Sequence, residues 1–150
     1  MSSGTLEGLV QNGPVVRVTY MSRPSTLQQA SLCEDVAHIQ WQSRKLNRLY
    51  GITGALLVSR HWFIQTIEGE AVAVFATLAR INLDVRHEDI RIFEMTVSPT
   101  RLFATWAMHV GTMGHVDPAL IARCVEGFRR PSPREAPLLV SALQQSVMAA

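Results

Sequence analysis

The residue with the clearest chemical consequence is Gln65. It stands in the stretch 62–68, which is aromatic and β-branched and is closed by Gly69, so the stretch predicts a strand. Alternation places Gln65 between Phe63 and Ile67 on one apolar, core-directed face. An uncharged amide on such a face is costly unless it forms hydrogen bonds. Gln65 therefore either satisfies a structural neighbour or contacts something polar that binds inside the domain.

Two further uncharged polar residues converge on Gln65. The first strand places Tyr20 on the same face as Val16 and Val18, and the topology below makes this strand a neighbour of 62–68. Asn47 lies near the end of the first helix, over the same face. A slot between helices with a few polar groups suits a flat, mostly apolar ligand with polar edges. From spacing alone, a purely structural Tyr-Gln pair with a surface Asn is as good an interpretation.

Nucleophilic and acid-base catalysis find little support. Tyr20, Asn47 and Gln65 are poor nucleophiles and poor bases at neutral pH. The five histidines are scattered, and no Cys/His or Ser/His/Asp arrangement joins them. The pair Trp106 and Met108 has i, i+2 spacing, which predicts two core residues on one strand face.

The elements that must position these residues follow from periodicity. In order, the sequence predicts a strand at 15–21, a helix at 26–50, a hairpin at 54–59 and 62–68, a helix at 70–83, a strand at 90–97 and a shorter strand at 103–110. In the second helix, Phe75, Leu78 and Ile81 are expected to face the core, with Val74 beside them. The fold class is α+β, a ferredoxin-like β-α-β-β-α-β-β arrangement with a five-stranded mixed sheet and both helices on one face.

Helices at 118–129 and 137–148 could cover the opposite face, and Asp117-Pro118 is a good helix start. The expected organisation is a loose leader at 1–13, a main domain at 14–115 and a helical extension at 116–150.

Composition excludes several classes. A chain of 150 residues with a net charge of +2 suits one domain and does not favour a nucleic-acid partner. Cys33 and Cys124 match no metal spacing, and Cys33 is expected to be a small buried hydrophobe. There is no signal peptide and no apolar run long enough for a membrane, so we expect a cytoplasmic protein.

Taken together, the motifs resemble the BLUF family, the blue-light sensors that use a flavin. The markers appear in order: Tyr20 ending the first strand, Asn47 seven residues before Gly54, Gln65 ahead of Gly69, Asp84-Val85-Arg86-His87 resembling Asp-Pro-Arg-His, and Phe103-Ala104-Thr105-Trp106-Ala107-Met108 resembling Phe-x-x-Trp-x-Met. The resemblance covers residues 15 to 115, about two-thirds of the chain.

The resemblance implies a flavin ring between the two helices, with Asn47 at its pyrimidine edge and Gln65 between the ring and Tyr20. Trp106 and Met108 would belong to the photoactive group, with Met108 also against the ring. The other implied flavin contacts are Ile39, Ser43, Arg80, Asp84, Arg86 and His87. Light would move an electron from Tyr20 to the flavin, with a proton relayed through Gln65, and both would return. The Gln65 amide would be left rotated or tautomerised.

The resemblance further implies a sensor and not a turnover enzyme. The cofactor would be FAD, with FMN or riboflavin open. The partners would be a homo-oligomer, as a dimer or larger, and a separate effector protein, without nucleic acid or membrane. The alternative is a flavin-free ferredoxin-like module for ligand binding or dimerisation. An acylphosphatase-type hydrolase is disfavoured because 21–24 contains no glycine for a phosphate loop.

Overall fold

Strands and helices follow the predicted order in the computed structural model, which describes residues 14–25 and 32–148. The elements are β1 (Val15–Pro24), α1 (Leu32–Tyr50), β2 (Thr53–Val58), β3 (Phe63–Gly69), α2 (Ala71–Leu83), β4 (His87–Ser98), β5 (His109–Thr112), α3 (Pro118–Gly127) and α4 (Ala136–Met148). The predicted leader 1–13 and residues 26–31, which were predicted to begin the first helix, lie outside the described residues, as do the side chains of Cys33 and Ile39.

The five strands form one mixed sheet in the order β4-β1-β3-β2-β5. β1 pairs with β3 and β4 in antiparallel fashion, β2 pairs with β3 in the same way, and β2 pairs with β5 in parallel. Every residue of β2 and β3 is buried, which explains why both strands consist mainly of apolar side chains. The order confirms the predicted ferredoxin-like sheet with β1 and β3 as neighbours.

Each face of the sheet carries its own apolar cluster, because successive strand residues point to opposite sides. On the side of α2, Val18 and Tyr20 pack with Val74 and Leu78. On the other side, Met21 packs with residues of α4, which lies against β1, β2 and β3. The C-terminal helices therefore cover the face that the first two helices leave bare, as predicted.

The predicted fifth strand at 103–110 is wrong in its position, since β5 spans only His109–Thr112. The backbone before β5 forms other hydrogen bonds. The Trp106 amide donates to the Phe103 carbonyl at 3.0 Å, and the Gly54 amide donates to the Trp106 carbonyl at 3.0 Å. Trp106 and Met108 are consequently in an irregular segment, not a regular strand.

Two details of the central elements also differ from expectation. Phe75 was expected in the core, but it is 47% exposed, while Val74, Thr77 and Leu78 are buried. Residues 74, 78 and 81 have helical spacing along the sheet-facing stripe, and residue 75 is turned about 100° away from it. The fourth strand begins at His87, three residues earlier than predicted, because β1 continues to Pro24 and pairs with it there.

The remaining features concern single residues and the chain as a whole. Asp117 caps α3, accepting a hydrogen bond from the Ala119 amide at 3.0 Å, as the Asp-Pro sequence predicts. Cys124 is a free, buried thiol. Among the described residues, no helix has the length and apolar character needed to cross a membrane.

Candidate functional site

The centre of the site is a hydrogen bond between two strands. Tyr20 on β1 and Gln65 on β3 are direct partners in the antiparallel register, and the Tyr20 hydroxyl donates to Gln65 Oε1. Their exposed fractions are 2% and 7%. Burial, together with the nearby charge of Asp84, raises the pKa of Tyr20. The phenol is therefore protonated in the folded protein and keeps its role as donor.

The other end of the Gln65 amide has a weaker partner. Its Nε2 lies 3.6 Å from the sulfur of Met108, which is buried on the same side of the sheet. A thioether is a poor acceptor, while an amide nitrogen carries two donors. The amide of Gln65 is thus firmly engaged at its oxygen and has donor capacity to spare at its nitrogen. That asymmetry suits a residue that would also bond a carbonyl of a bound molecule.

Asn47 ties α1 to the segment that carries Met108. Its side chain is 3% exposed, and Nδ2 donates to the Ala107 carbonyl at 2.6 Å. One turn earlier, Arg44 Nε donates to the Met108 carbonyl at 3.2 Å. These two bonds attach the backbone of Ala107 and Met108 to α1.

A cavity of about 400 Å³ opens between α1 and α2 over these groups. That volume is in the range of roughly 300–1,000 Å³ that small-molecule sites occupy. The predicted site residues that line it are Tyr20, Ser43, Asn47, Gln65, Arg80, Asp84, Arg86, His87 and Met108. Apolar walls come from Leu56, Phe63 and Ile67, which sequence reasoning had not assigned to the site. Alternation alone could have found Phe63 and Ile67, because they share the face of Gln65.

The predicted residues at the far end of the cavity are engaged with nearby side chains. Arg86 binds Asp84 through its side chain, with Nε at 2.9 Å from Oδ1. Burial alone would raise the pKa of Asp84, but the hydrogen bonds and charge of Arg86 outweigh it and hold that pKa below its ordinary value. Arg80 Nη2 donates to the Thr77 hydroxyl at 3.0 Å and its guanidinium lies 5.2 Å from the centre of the Tyr50 ring. The rim therefore carries two guanidinium groups, of which that of Arg86 is paired with the Asp84 carboxylate.

His87 is fixed from both sides. Its Nε2 lies 2.6 Å from the Ile81 carbonyl, which can only accept, so Nε2 carries the hydrogen. In the neutral ring, Nδ1 then accepts from the Ser22 hydroxyl at 2.9 Å. His87, at the start of β4, contributes a wall of the cavity, while its Nε2 ties it to α2 and its Nδ1 ties it to β1.

Trp106 does not join the site. Its ring packs against the cluster on the α4 side and meets His109 edge-on, with ring centres 5.0 Å apart. The expectation that Trp106 and Met108 share one strand face is wrong, because the irregular backbone of 103–108 sends the two side chains to opposite sides of the sheet. Nor is β5 adjacent to Gln65's strand, since β2 lies between them. Ile39 was also expected at the ring, but its side chain lies outside the described residues.

A buried carboxylate on β3 was missed by sequence reasoning. Glu68 is 0% exposed and accepts from the backbone amides of Leu102 and Phe103 at 2.9 and 2.6 Å. It also accepts from Arg17 Nε at 3.2 Å and from the Thr53 hydroxyl at 3.1 Å. Glu68 thereby anchors the start of the segment whose end seats Met108 against Gln65. An acidic residue in an otherwise uncharged strand was the available signal.

The sheet order, the two helices on one face and the cavity between them define a ferredoxin-like ligand-binding domain. The family model described as BLUF, sensors of blue-light using FAD, matches residues 15–109. The match covers more than half of the chain, and the chain therefore belongs to the BLUF family. It is a flavin-binding blue-light sensor domain.

Solved structures agree with this assignment. The dark-state structure of BlrB, a BLUF protein, is 30% identical with a TM-score of 0.69, over 91% of this chain and 97% of BlrB. The photo-activated state of BlsA is 24% identical with a TM-score of 0.72, over 91% of this chain and 96% of BlsA, and shares the fold. A bacterial light-regulated adenylyl cyclase is 26% identical with a TM-score of 0.60, over 90% of this chain but only 36% of the cyclase. No curated protein matches the chain.

Proposed function

We propose that Tyr20 and Gln65 are the light switch of this domain, with Met108 as the third member of the group. The observation that supports this is the buried chain of contacts from the Tyr20 hydroxyl to Gln65 Oε1 and from Gln65 Nε2 to the Met108 sulfur, on the wall of the cavity. Trp106 was expected to share this role; its position on the other side of the sheet makes it a candidate for passing the change onward instead.

The residues present fit a flavin. The apolar walls suit the flat ring, and the spare donors of Gln65 Nε2 suit a ring carbonyl. Asn47 and Ser43 would hold the edge of the ring beside α1, while Arg80, Arg86, Asp84 and His87 line the end that would take the ribityl or phosphate part. We infer FAD as the cofactor; the guanidinium groups at the rim are equally compatible with the phosphate of FMN.

A bound flavin supplies an oxidant that forms only on absorption of blue light. Tyr20 is an oxidisable phenol, and its proton has a ready acceptor in Gln65 Oε1. After the proton returns, the Gln65 amide is reversed or tautomerised. The hydrogen-bonding roles that Gln65 presents to Tyr20 and to Met108 have then changed. Glutamine is suited to this task because its two ends differ in hydrogen bonding but hardly in size.

We infer a sensor that acts without turnover and passes its signal to a separate effector or to an oligomer interface. The polar groups at the centre of the cavity, Tyr20, Asn47 and Gln65, are uncharged, and none of these three is a good nucleophile or general base. The boundary between a sensing unit at 14–115 and an output extension at 116–150 belongs to the same proposal. It is supported by the packing of α4 on the sheet face opposite the cavity.

The test is the absorption spectrum of the purified chain before, during and after blue illumination. Wild type should show flavin absorbance with a small, reversible red shift. Tyr20→Phe and Gln65→Leu should retain flavin and lose the shift, while Tyr50→Phe, a matched control at a 47% exposed position, should keep it. An unchanged shift in either pocket variant would remove that residue from the switch. Extraction of the bound flavin and chromatography against FAD, FMN and riboflavin identifies the cofactor.

A further inference from the structure

One stripe of α1 faces solvent with an unusual combination of side chains. Trp41, Arg44, Lys45 and Arg48 stand at i, i+3, i+4 and i+7, which places them on a single face of the helix. We call this set the basic face. Trp41 is 63% exposed, and the three cationic side chains are exposed around it. Trp is enriched at protein interfaces, so an exposed Trp surrounded by cations is a candidate contact residue.

The charge of the basic face has no ion-pair partner among the described residues. From Val36 to Ile67 the sequence contains no Asp or Glu. In the described parts of the chain, none of the ion pairs involves Arg44, Lys45 or Arg48. Lys45 instead lies over the Trp41 ring, with Nζ 5.3 Å from its centre. Within the part of the chain that the structure describes, the face thus presents positive charge that another molecule could neutralise.

The basic face is joined directly to the switch. Arg44 belongs to the face, and its Nε donates to the carbonyl of Met108, whose sulfur contacts Gln65. A change in the Gln65 amide that moves Met108 therefore also displaces the acceptor of the Arg44 hydrogen bond. This is a short physical route from the cavity to solvent that does not pass through the C-terminal helices.

We propose that the basic face of α1 binds an acidic segment of a separate effector protein, with an affinity that depends on illumination. Trp and Arg are the residue types that contribute most at protein interfaces, and here they are adjacent. The stripe spans about two helical turns, the dimension of a peptide contact and short for a nucleic-acid track. The light dependence rests on the proposed switch, whereas the binding itself does not.

Fluorescence polarisation with a peptide that carries a red-excited dye tests the binding, because a dye excited by blue light would itself illuminate the flavin. The probe is a Glu- and Leu-rich peptide of about three helical turns. We expect saturable binding to the dark-state holoprotein, weakened roughly tenfold by Lys45→Glu with Arg48→Glu, as two exposed charge contacts predict. Arg129→Glu with Arg130→Glu makes the same change of charge at another exposed pair and should leave binding unchanged. Equal weakening by both double variants would show a mere effect of net charge and overturn the site.

Two further measurements separate the alternatives. Trp41→Ala should weaken binding of the peptide without changing the absorption shift; unchanged binding would contradict the role of the ring. A single-stranded oligonucleotide of the same charge that binds more tightly than the peptide would overturn the choice of a protein partner. Finally, the polarisation is measured in the dark and under blue light with the absorption shift recorded in the same sample. A full absorption shift with identical affinities would refute the coupling through Arg44 while leaving the switch intact.

Discussion

The anchor at Glu68 gives a prediction whose size can be worked from its contacts. Each carboxylate oxygen accepts two hydrogen bonds: Oε1 from Phe103 N and the Thr53 hydroxyl, Oε2 from Leu102 N and Arg17 Nε. Glu68→Gln preserves shape but turns one oxygen into a donor. Two bonds are lost if the amide nitrogen replaces Oε2, and at least the bond to the Phe103 amide is lost if it replaces Oε1, where the Thr53 hydroxyl can accept instead of donate. A hydrogen bond to a charged group contributes about 1.5–3 kcal/mol, part of which is offset because a buried charge is also removed.

Glu68→Gln should lower the free energy of unfolding by about 3 kcal/mol, a large share of the roughly 5–15 kcal/mol that stabilises a domain. For a chain of this length it corresponds to a decrease in Tm of about 9 °C. Urea unfolding followed by circular dichroism measures it, with Glu126→Gln as the control. Glu126 is exposed on α3, and its replacement should change the free energy of unfolding by less than about 0.5 kcal/mol.

The same variant has an optical consequence, because residues 102 and 103 begin the segment that places Met108 beside Gln65. The light-induced shift of Glu68→Gln should differ from wild type in size or recovery rate, even where the variant is fully folded. A loss of stability below about 1 kcal/mol would refute the assignment of four acceptor bonds to one buried carboxylate.

Three further predictions concern pH and packing. Burial, followed by the charge of Arg44, lowers the pKa of His109 below its ordinary 6.5. The unfolded chain therefore takes up the proton first, and stability is lost as pH falls below that value. His109→Gln should reduce the change in the free energy of urea unfolding between about pH 7 and pH 5. Because the pKa of Tyr20 is raised above 10.0, the contribution of Tyr20 to the free energy of unfolding is present below that pH and lost above it. The Tyr50→Phe variant, in which Tyr20 is the remaining tyrosine, should show no tyrosinate absorbance until it unfolds. Val74→Ala should cost about 2 kcal/mol in urea unfolding, and Phe75→Ala less than about 1 kcal/mol; the reverse order would contradict the observed helix rotation.

The parts of the fold that sequence predicts best are those set by a local period. The two-residue period fixes which face carries Tyr20 and Gln65, and a right-handed crossover makes their strands neighbours, so the central pair could be placed from sequence. The α2 helix was harder because apolar residues occupy more than one of its sides, and periodicity alone did not exclude Phe75 from the buried stripe.

The position of Trp106 could not be predicted for a different reason. Aromatic and apolar residues at 103–108 resemble a strand locally, but their backbone follows bonds to groups far away in sequence. Glu68 binds the amide of Phe103 across 35 residues, and Asn47 binds the carbonyl of Ala107 across 60. Such contacts are decided by the assembled sheet, and no local pattern in 103–108 contains them.

The way Glu68 holds its segment also bears on how freely this stretch can change. The carboxylate accepts hydrogen bonds from main-chain amides, which every amino acid except proline provides. These bonds therefore do not depend on which side chains stand at 102 and 103. Between this point and the next tether at Trp106 lie Ala104 and Thr105, both exposed. Evolution or an engineer can therefore vary these two positions, or attach a reporter dye there, without loosening either end of the segment.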